Sequence, residues 1–193
     1  MHEPIGHGVI VLAAGASTRL GRSKQDLPHH GEPLVRRAVR LALSTSPRDA
    51  LIVVGANANT VHAHVADLPI RRVDCVDWQA GMGASLRAGI AALSDDCAGA
   101  LVMVCDQPGL AAEHLHALCA AWHDDPQRGA ASFYADRLGV PALLPRNWFN
   151  ELDASSDRGA RDILARRRKQ ITHIANELLA LDIDRPEDLV HLT

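Results

Sequence analysis

The stretch Gly8–Lys24, GVIVLAAGASTRLGRSK, decides the fold. Its first six residues, Gly8–Ala13, form an unbroken apolar run with β-branched side chains, as expected of a strand covered on both faces. The next eleven, Ala14–Lys24, hold Gly15 and Gly21, the hydroxyls of Ser17 and Thr18, and the cations Arg19, Arg22 and Lys24. In an open α/β sheet, ligands bind beyond the carboxyl ends of the strands. Glycines let backbone amides approach an anion, so glycines, hydroxyls and cations at that place suit a polyphosphate. The loop is not a Walker sequence, because Gly15 and Gly21 enclose five residues and Lys24 comes three after Gly21. Nor is there a dinucleotide fingerprint: Gly81-Met82-Gly83 is followed by Leu86 where a third glycine belongs.

Outward from that stretch the chain alternates short apolar runs with longer amphipathic ones. Leu51–Val54, Arg72–Val76 and Ala100–Cys105 read as strands, and Leu34–Leu43, Val61–Leu68, Ser85–Leu93 and Glu113–Trp122 as helices. Ala130–Tyr134 and Val140–Leu144 break the rhythm and read as an antiparallel pair. A helix over Arg158–Arg168 with a basic end, a last strand over Leu179–Ile183 and a short helix opened by Pro186 complete the chain. The expectation is one α/β domain over residues 1–193, with helices on both faces of a mostly parallel sheet.

Composition narrows the function. The 193 residues are 47% hydrophobic and 22% charged, which excludes a disordered chain. Twenty-three acids against twenty bases leave a net charge of −3, and only 3% of residues are aromatic. Neither a basic nucleic-acid surface nor a stacking platform for single strands is expected. No run approaches the roughly 18 apolar residues of a membrane helix, and no basic segment precedes the first strand, so a cytoplasmic protein is expected. Cys75, Cys97, Cys105 and Cys119 include no CxxC pair and read as reduced, packed thiols.

Asp106, directly after the run ALVMVC, stands on the same sheet edge as the Ala14–Lys24 loop. A carboxylate there can hold magnesium, which keeps its waters and takes one or two protein carboxylates; it can also cap the following helix. The histidine pairs 62/64 and 114/116 have a spacing that does not share a helical face and read as solvent-exposed. His29-His30 falls in a loop near the active edge, and Arg166–Lys169 reads as a solvated helix end.

LAAGASTRLGRSK (12–24), WQAGMGASLRAG (78–89), CDQP (105–108), LGVPALLP (138–145), SDRGARDIL (156–164) and LDIDRPEDL (181–189) occur in an order that resembles the MobA-like nucleotidyltransferases. Within these, the chain is most similar to the molybdenum cofactor cytidylyltransferases. The resemblance implies a Rossmann-like three-layer α/β/α sandwich of the nucleotide-diphospho-sugar transferase type. It implies transfer of a nucleoside monophosphate, CMP from CTP, to a phosphorylated pterin (molybdopterin) with release of pyrophosphate, and a molybdoenzyme as eventual client. It maps Leu12, Ala13, Ala14, Gly15, Ser17, Arg19, Gly21 and Lys24 onto the nucleotide-binding signature, and Trp78, Gly81, Ser85 and Leu86 onto the segment near base and ribose. Arg19 and Lys24 would hold the β- and γ-phosphates, and Asp106 would bind Mg2+.

Asp184 corresponds to a second metal ligand in wider nucleotidyltransferases, but Asp before Arg-Pro also suits a helix cap. Asp157 and Arg161 either face the acceptor or start a helix. Ala14, where guanylyl-transferring relatives carry glycine, is the residue on which base preference rests. Leu20, Asp26, Cys75-Val76 and Cys105 depart from the family pattern, and Asp26 would put a charge on the acceptor side. Two other readings fit the same residues: transfer to another small phosphate, of a sugar or an isoprenoid, or a nucleotide-binding module without turnover.

Overall fold

The computed structural model describes residues 5–152 and 159–192. The chain runs through β1 (Gly6–Ala13), the two-residue strands β2 (Pro28–His29) and β3 (Glu32–Pro33), α1 (Leu34–Ser44), β4 (Asp49–Val54), α2 (Ala58–Ala63) and β5 (Arg71–Asp74). It continues through α3 (Met82–Ala92), β6 (Cys97–Val104), α4 (Ala112–Asp124), β7 (Gly129–Tyr134), β8 (Arg137–Pro145), α5 (Arg161–Arg166) and β9 (Ile171–Ala175). Among the described residues seven strands make one sheet in the order β5-β4-β1-β6-β8-β7-β9. β8 alone runs against its neighbours, and the other pairings are parallel. The expected antiparallel addition is therefore the β7–β8 hairpin.

β1 lies in the middle of the parallel half, and Val9, Ile10 and Val11 are fully buried. Val9 and Val11 face a layer built from Val35, Val39, Leu115, Leu118 and Trp122 of α1 and α4. Ile10 and Leu12 face the opposite layer, with Leu86 of α3, Ile163 and Leu164 of α5, and Trp148. A strand apolar at every position thus serves two cores at once, which is why its sequence shows no alternation. Gly89 inside α3 has a packing reason: a Cβ there would lie 2.6 Å from Cγ2 of Ile10.

Several expectations are corrected. Leu179–Ile183 is not a strand: Glu177–Ala180 is a 3-10 turn, and the last strand is β9. ITHIA, at the sheet edge, alternates buried and open residues too weakly to have stood out. α2 closes at Ala63 and gives way to turns before Leu68. α5 starts at Arg161, and the expected start at 158 lies outside the described residues. His114 is buried, with its Nε2 2.8 Å from Ser132 Oγ, not solvent-exposed. His64, just past the end of α2, lies 3.1 Å from Asp26, so that carboxylate has a partner within the fold. The Arg166–Lys169 run is exposed at Arg166, Arg168 and Lys169 as expected, with Arg166 and Arg167 also bonded to Glu151. All four cysteines are free and buried.

Candidate active site

The loop after β1 is folded around a residue that sequence reading passed over. Gln25 is almost fully buried, and its amide nitrogen donates to the carbonyls of Ala13 (3.3 Å) and Gly15 (2.9 Å). Its carbonyl oxygen accepts from the hydroxyls of Ser23 (2.9 Å) and Ser17 (3.4 Å). Ser17, at φ +54°, accepts the backbone N–H of Lys24 on its Oγ at 3.1 Å. One buried amide therefore ties both ends of the loop together, and Ser17 shapes the loop from behind. Nothing in a polar run such as KQDLP marks which polar residue will turn inward.

Between this loop and α3 opens a cleft of about 330 Å³. Leu12, Ala13, Ala14, Gly15 and Lys24 line it together with Trp78, Gly81, Met82, Ser85 and Asp106. A Cβ on Gly15 would meet no protein atom within 4 Å, so the space beside it is open. Gly55 makes the floor possible: a Cβ there would come within 2.6 Å of the Trp78 side chain and 2.8 Å of the Ala14 carbonyl. Of the other residues expected near a nucleotide, Leu86 packs into the core, while Ser17 and Gly21 support the loop without lining the cleft. Arg19 stands at the rim, with its side chain 73% exposed.

The chemistry gathers where β6 ends. Asp106 and Asp184 both pair with the Lys24 ammonium, the latter at 3.1 Å, and Arg19 donates to Asp184 at 2.9 Å. Burial works against a charge on Lys24. The Asp106 carboxylate, as charge and as acceptor, outweighs it with help from Asp184 and holds the ammonium above the ordinary lysine range. Burial likewise opposes the charge of Asp184, yet Lys24 and Arg19 keep its carboxyl below the usual range. Burial also pushes the neighbouring Cys105 thiol up to about 12, so it stays a packed neutral group.

A backbone contact explains how Asp184 reaches this point. The Ile183 N–H donates to the Asp106 carbonyl at 3.0 Å, and the Ile183 side chain is fully buried. Asp184 does not serve as a cap. Asp188 accepts from the N–H groups of Asp184 and Arg185, freeing the Asp184 side chain for the cations. Asp182 joins the wall of a smaller pocket of about 50 Å³ with Asp106, Gln107, Tyr134 and Arg161. Burial, then the charge of Asp106, raises its carboxyl to about 6. Of the two positions expected near an acceptor, Arg161 is here and Asp157 lies outside the described residues. Asp182 was legible only as one letter of LDIDRPEDL.

Asp106 and Asp184, close enough to share one ammonium, offer hard carboxylate oxygens of the kind divalent cations such as magnesium take. Among the described residues no group of three His, Cys, Asp or Glu side chains is assembled to hold a metal. The pair therefore fits an ion that completes its shell with water and phosphate oxygens. A larger open hollow, about 750 Å³, lies on the opposite sheet edge around the Asp95–Arg146 pair and receives none of these residues. Among the described residues no helix is long and apolar enough to cross a membrane.

Comparison with known proteins agrees with this geometry. The MobA-like NTP transferase domain matches residues 9–171. Nicotine blue oxidoreductase of Paenarthrobacter nicotinovorans is 34% identical over 196 aligned residues, covering 95% of this chain and 94% of that protein. The purine catabolism protein PucB of Bacillus subtilis is 30% identical, covering 85% and 82%. The crystal structure of Rv0371c from Mycobacterium tuberculosis superposes with a TM-score of 0.83 at 26% identity, over 98% of both chains. The same protein in complex with manganese superposes at 0.76 with 23% identity, over 97% of each. The β1 loop, the open α/β sheet and the cleft at its carboxyl edge are those of the nucleotide-diphospho-sugar transferase fold, and the chain belongs to the MobA-like NTP transferase family.

Proposed function

We propose that this chain transfers CMP from CTP to a phosphorylated pterin, molybdopterin, with magnesium, releasing pyrophosphate. The observation that carries the reading is the meeting of Lys24 from the β1 loop with Asp106 in the cleft beside Trp78, with Asp184 reaching the same ammonium. Nucleotidyl transfer to an acceptor phosphate asks for in-line placement and for neutralised charge, and it needs no general base. Leu12, Ala13, Ala14 and Gly15 would receive base and ribose together with Trp78, Gly81 and Ser85. Lys24 and Arg19 would hold the β- and γ-phosphates and stabilise the departing pyrophosphate. Asp106 and Asp184 would hold Mg2+, which when bound would neutralise phosphate charge and align the α-phosphorus.

Ala14 lines the cleft, and its methyl would narrow the space beside a base in favour of a pyrimidine. The product would pass to a molybdoenzyme, and the site suits a protein of the cytoplasm, where triphosphates are abundant. The 34% identity to a protein named an oxidoreductase supports a second reading, in which the same cleft holds a nucleotide cofactor for hydride chemistry. Pyrophosphate release with each triphosphate, with and without molybdopterin, tests the first; oxidation of NADH or NADPH by the same preparation tests the second. Acceptor-dependent release with CTP is expected, and its loss in a folded Asp106→Ala variant by about two to three orders of magnitude. Full turnover in that variant would remove Asp106 from the mechanism.

A further inference from the structure

A cation already lies between the two carboxylates proposed to hold the metal. Lys24 Nζ bonds Asp106 and, at 3.1 Å, Asp184, and the Lys24 and Asp106 side chains are only 17% and 15% exposed. Arg19 adds a second positive charge on Asp184. A divalent ion bound to these oxygens would sit against the ammonium; the repulsion is strongest on the Asp106 side, where Lys24 and Asp106 are shielded from water, and weaker toward Asp184, whose side chain is 44% exposed. Lys24 and a metal therefore compete for one place. A triphosphate changes that balance, because its oxygens offer Lys24 and Arg19 other anionic partners and supply the remaining ligands that the two carboxylates lack.

Resting on the nucleotide-binding reading above, we propose that Lys24 is an exchangeable stand-in for the metal: the site takes a divalent cation only together with a triphosphate, and Lys24 moves from the carboxylates to the phosphates as it does so. The true ligand is then the metal–triphosphate chelate. Free metal is excluded by an internal cation, and the two ligands bind with positive coupling because each removes an obstacle to the other. The backbone allows the exchange, since the Lys24 N–H stays anchored on Ser17 while only the side chain swings.

Binding of Mn2+ alone to the nucleotide-free full-length chain, followed by the loss of free-ion paramagnetic resonance signal, tests this without any turnover. Wild type should bind Mn2+ at least about tenfold more weakly than Lys24→Gln, and Lys24→Arg, which keeps the charge, should stay as weak as wild type. CTP should tighten Mn2+ binding to wild type at least about tenfold beyond the ion held by free CTP, and should tighten Lys24→Gln much less. Melting curves establish that the variants are folded, and Asp106→Asn in the Lys24→Gln background should abolish the gained affinity. Equal Mn2+ affinity for wild type and Lys24→Gln, or no binding by Lys24→Gln, would overturn the exchange. If Lys24→Gln tightens Mn2+ binding and no triphosphate has any effect on wild type, the internal stand-in holds and the nucleotide-binding reading fails.

Discussion

Gln25 illustrates how one buried amide can set a binding loop. It satisfies two carbonyls and two hydroxyls that would otherwise leave the loop after β1 without an internal frame. Gln25→Ala removes the buried amide's bonds to the Ala13 and Gly15 carbonyls, at a cost of about 1–3 kcal/mol. A lower urea midpoint together with weaker CTP binding is expected, and an unchanged denaturation curve would show that the amide does not hold the loop. Ala14 acts at the same scale but on selectivity. Removing its methyl in Ala14→Gly should shift the CTP-to-GTP preference toward GTP by up to about tenfold, the worth of one methyl-sized group in a pocket. Competition kinetics with the two triphosphates would reveal an unaltered ratio if the base lies elsewhere.

Among the elements, α3 depends most on a single position. Gly89 costs the helix about 1 kcal/mol relative to alanine, so propensity alone favours Gly89→Ala. Against that, the new Cβ would approach Ile10 Cγ2 to 2.6 Å and Val53 Cγ2 to 3.1 Å, both on fully buried residues of β1 and β4. Overpacking of such a contact costs about 1–3 kcal/mol, and β-branched neighbours inside a sheet have little freedom to give way. Gly89→Ala should therefore destabilise by about 1 kcal/mol net, read from the denaturant midpoint; a stabilised variant would mean that α3 shifts freely on the sheet. The element ends teach a similar lesson. The helix after Gly81 was legible from its apolar spacing, whereas β9 was hidden because an edge strand needs little apolar sequence and takes its ladder from β7.

At the scale of the whole molecule, stability should depend on pH through a histidine far from the cleft. His7 of β1 is 3% exposed, and burial, with the nearby His123 adding to it, lowers its ring to about 4. The folded protein keeps His7 neutral where the unfolded chain, near 6.5, takes up a proton. The stability this contributes is complete above about pH 6.5 and is lost as pH falls toward 4, amounting to about 2 kcal/mol between pH 7 and 4.5. Unfolding free energies of wild type and His7→Gln at those two pH values should differ in slope by that amount. Equal slopes would show that His7 is charged or exposed in the folded state.

The same scale separates what could be read from letters from what needed the fold. The buried first strand, the anion-binding character of its loop, the strand–helix alternation and the carboxylate after β6 all follow from residues that are neighbours in the chain, because burial period and turn chemistry are local properties. That Lys24 meets Asp106, 82 residues on, and Asp184, 160 residues on, depends on β6 lying beside β1 and on Ile183 bonding back to the end of β6. Whether Asp184 capped a helix or stood as a second metal ligand was equally open in the sequence, and the fold removes the cap, because Asp188 takes it. Local pattern determined which edge of the sheet would carry charge. Only the tertiary contacts decided which charges share it, since the energy of a buried ion pair depends on distances that no spacing along the chain contains.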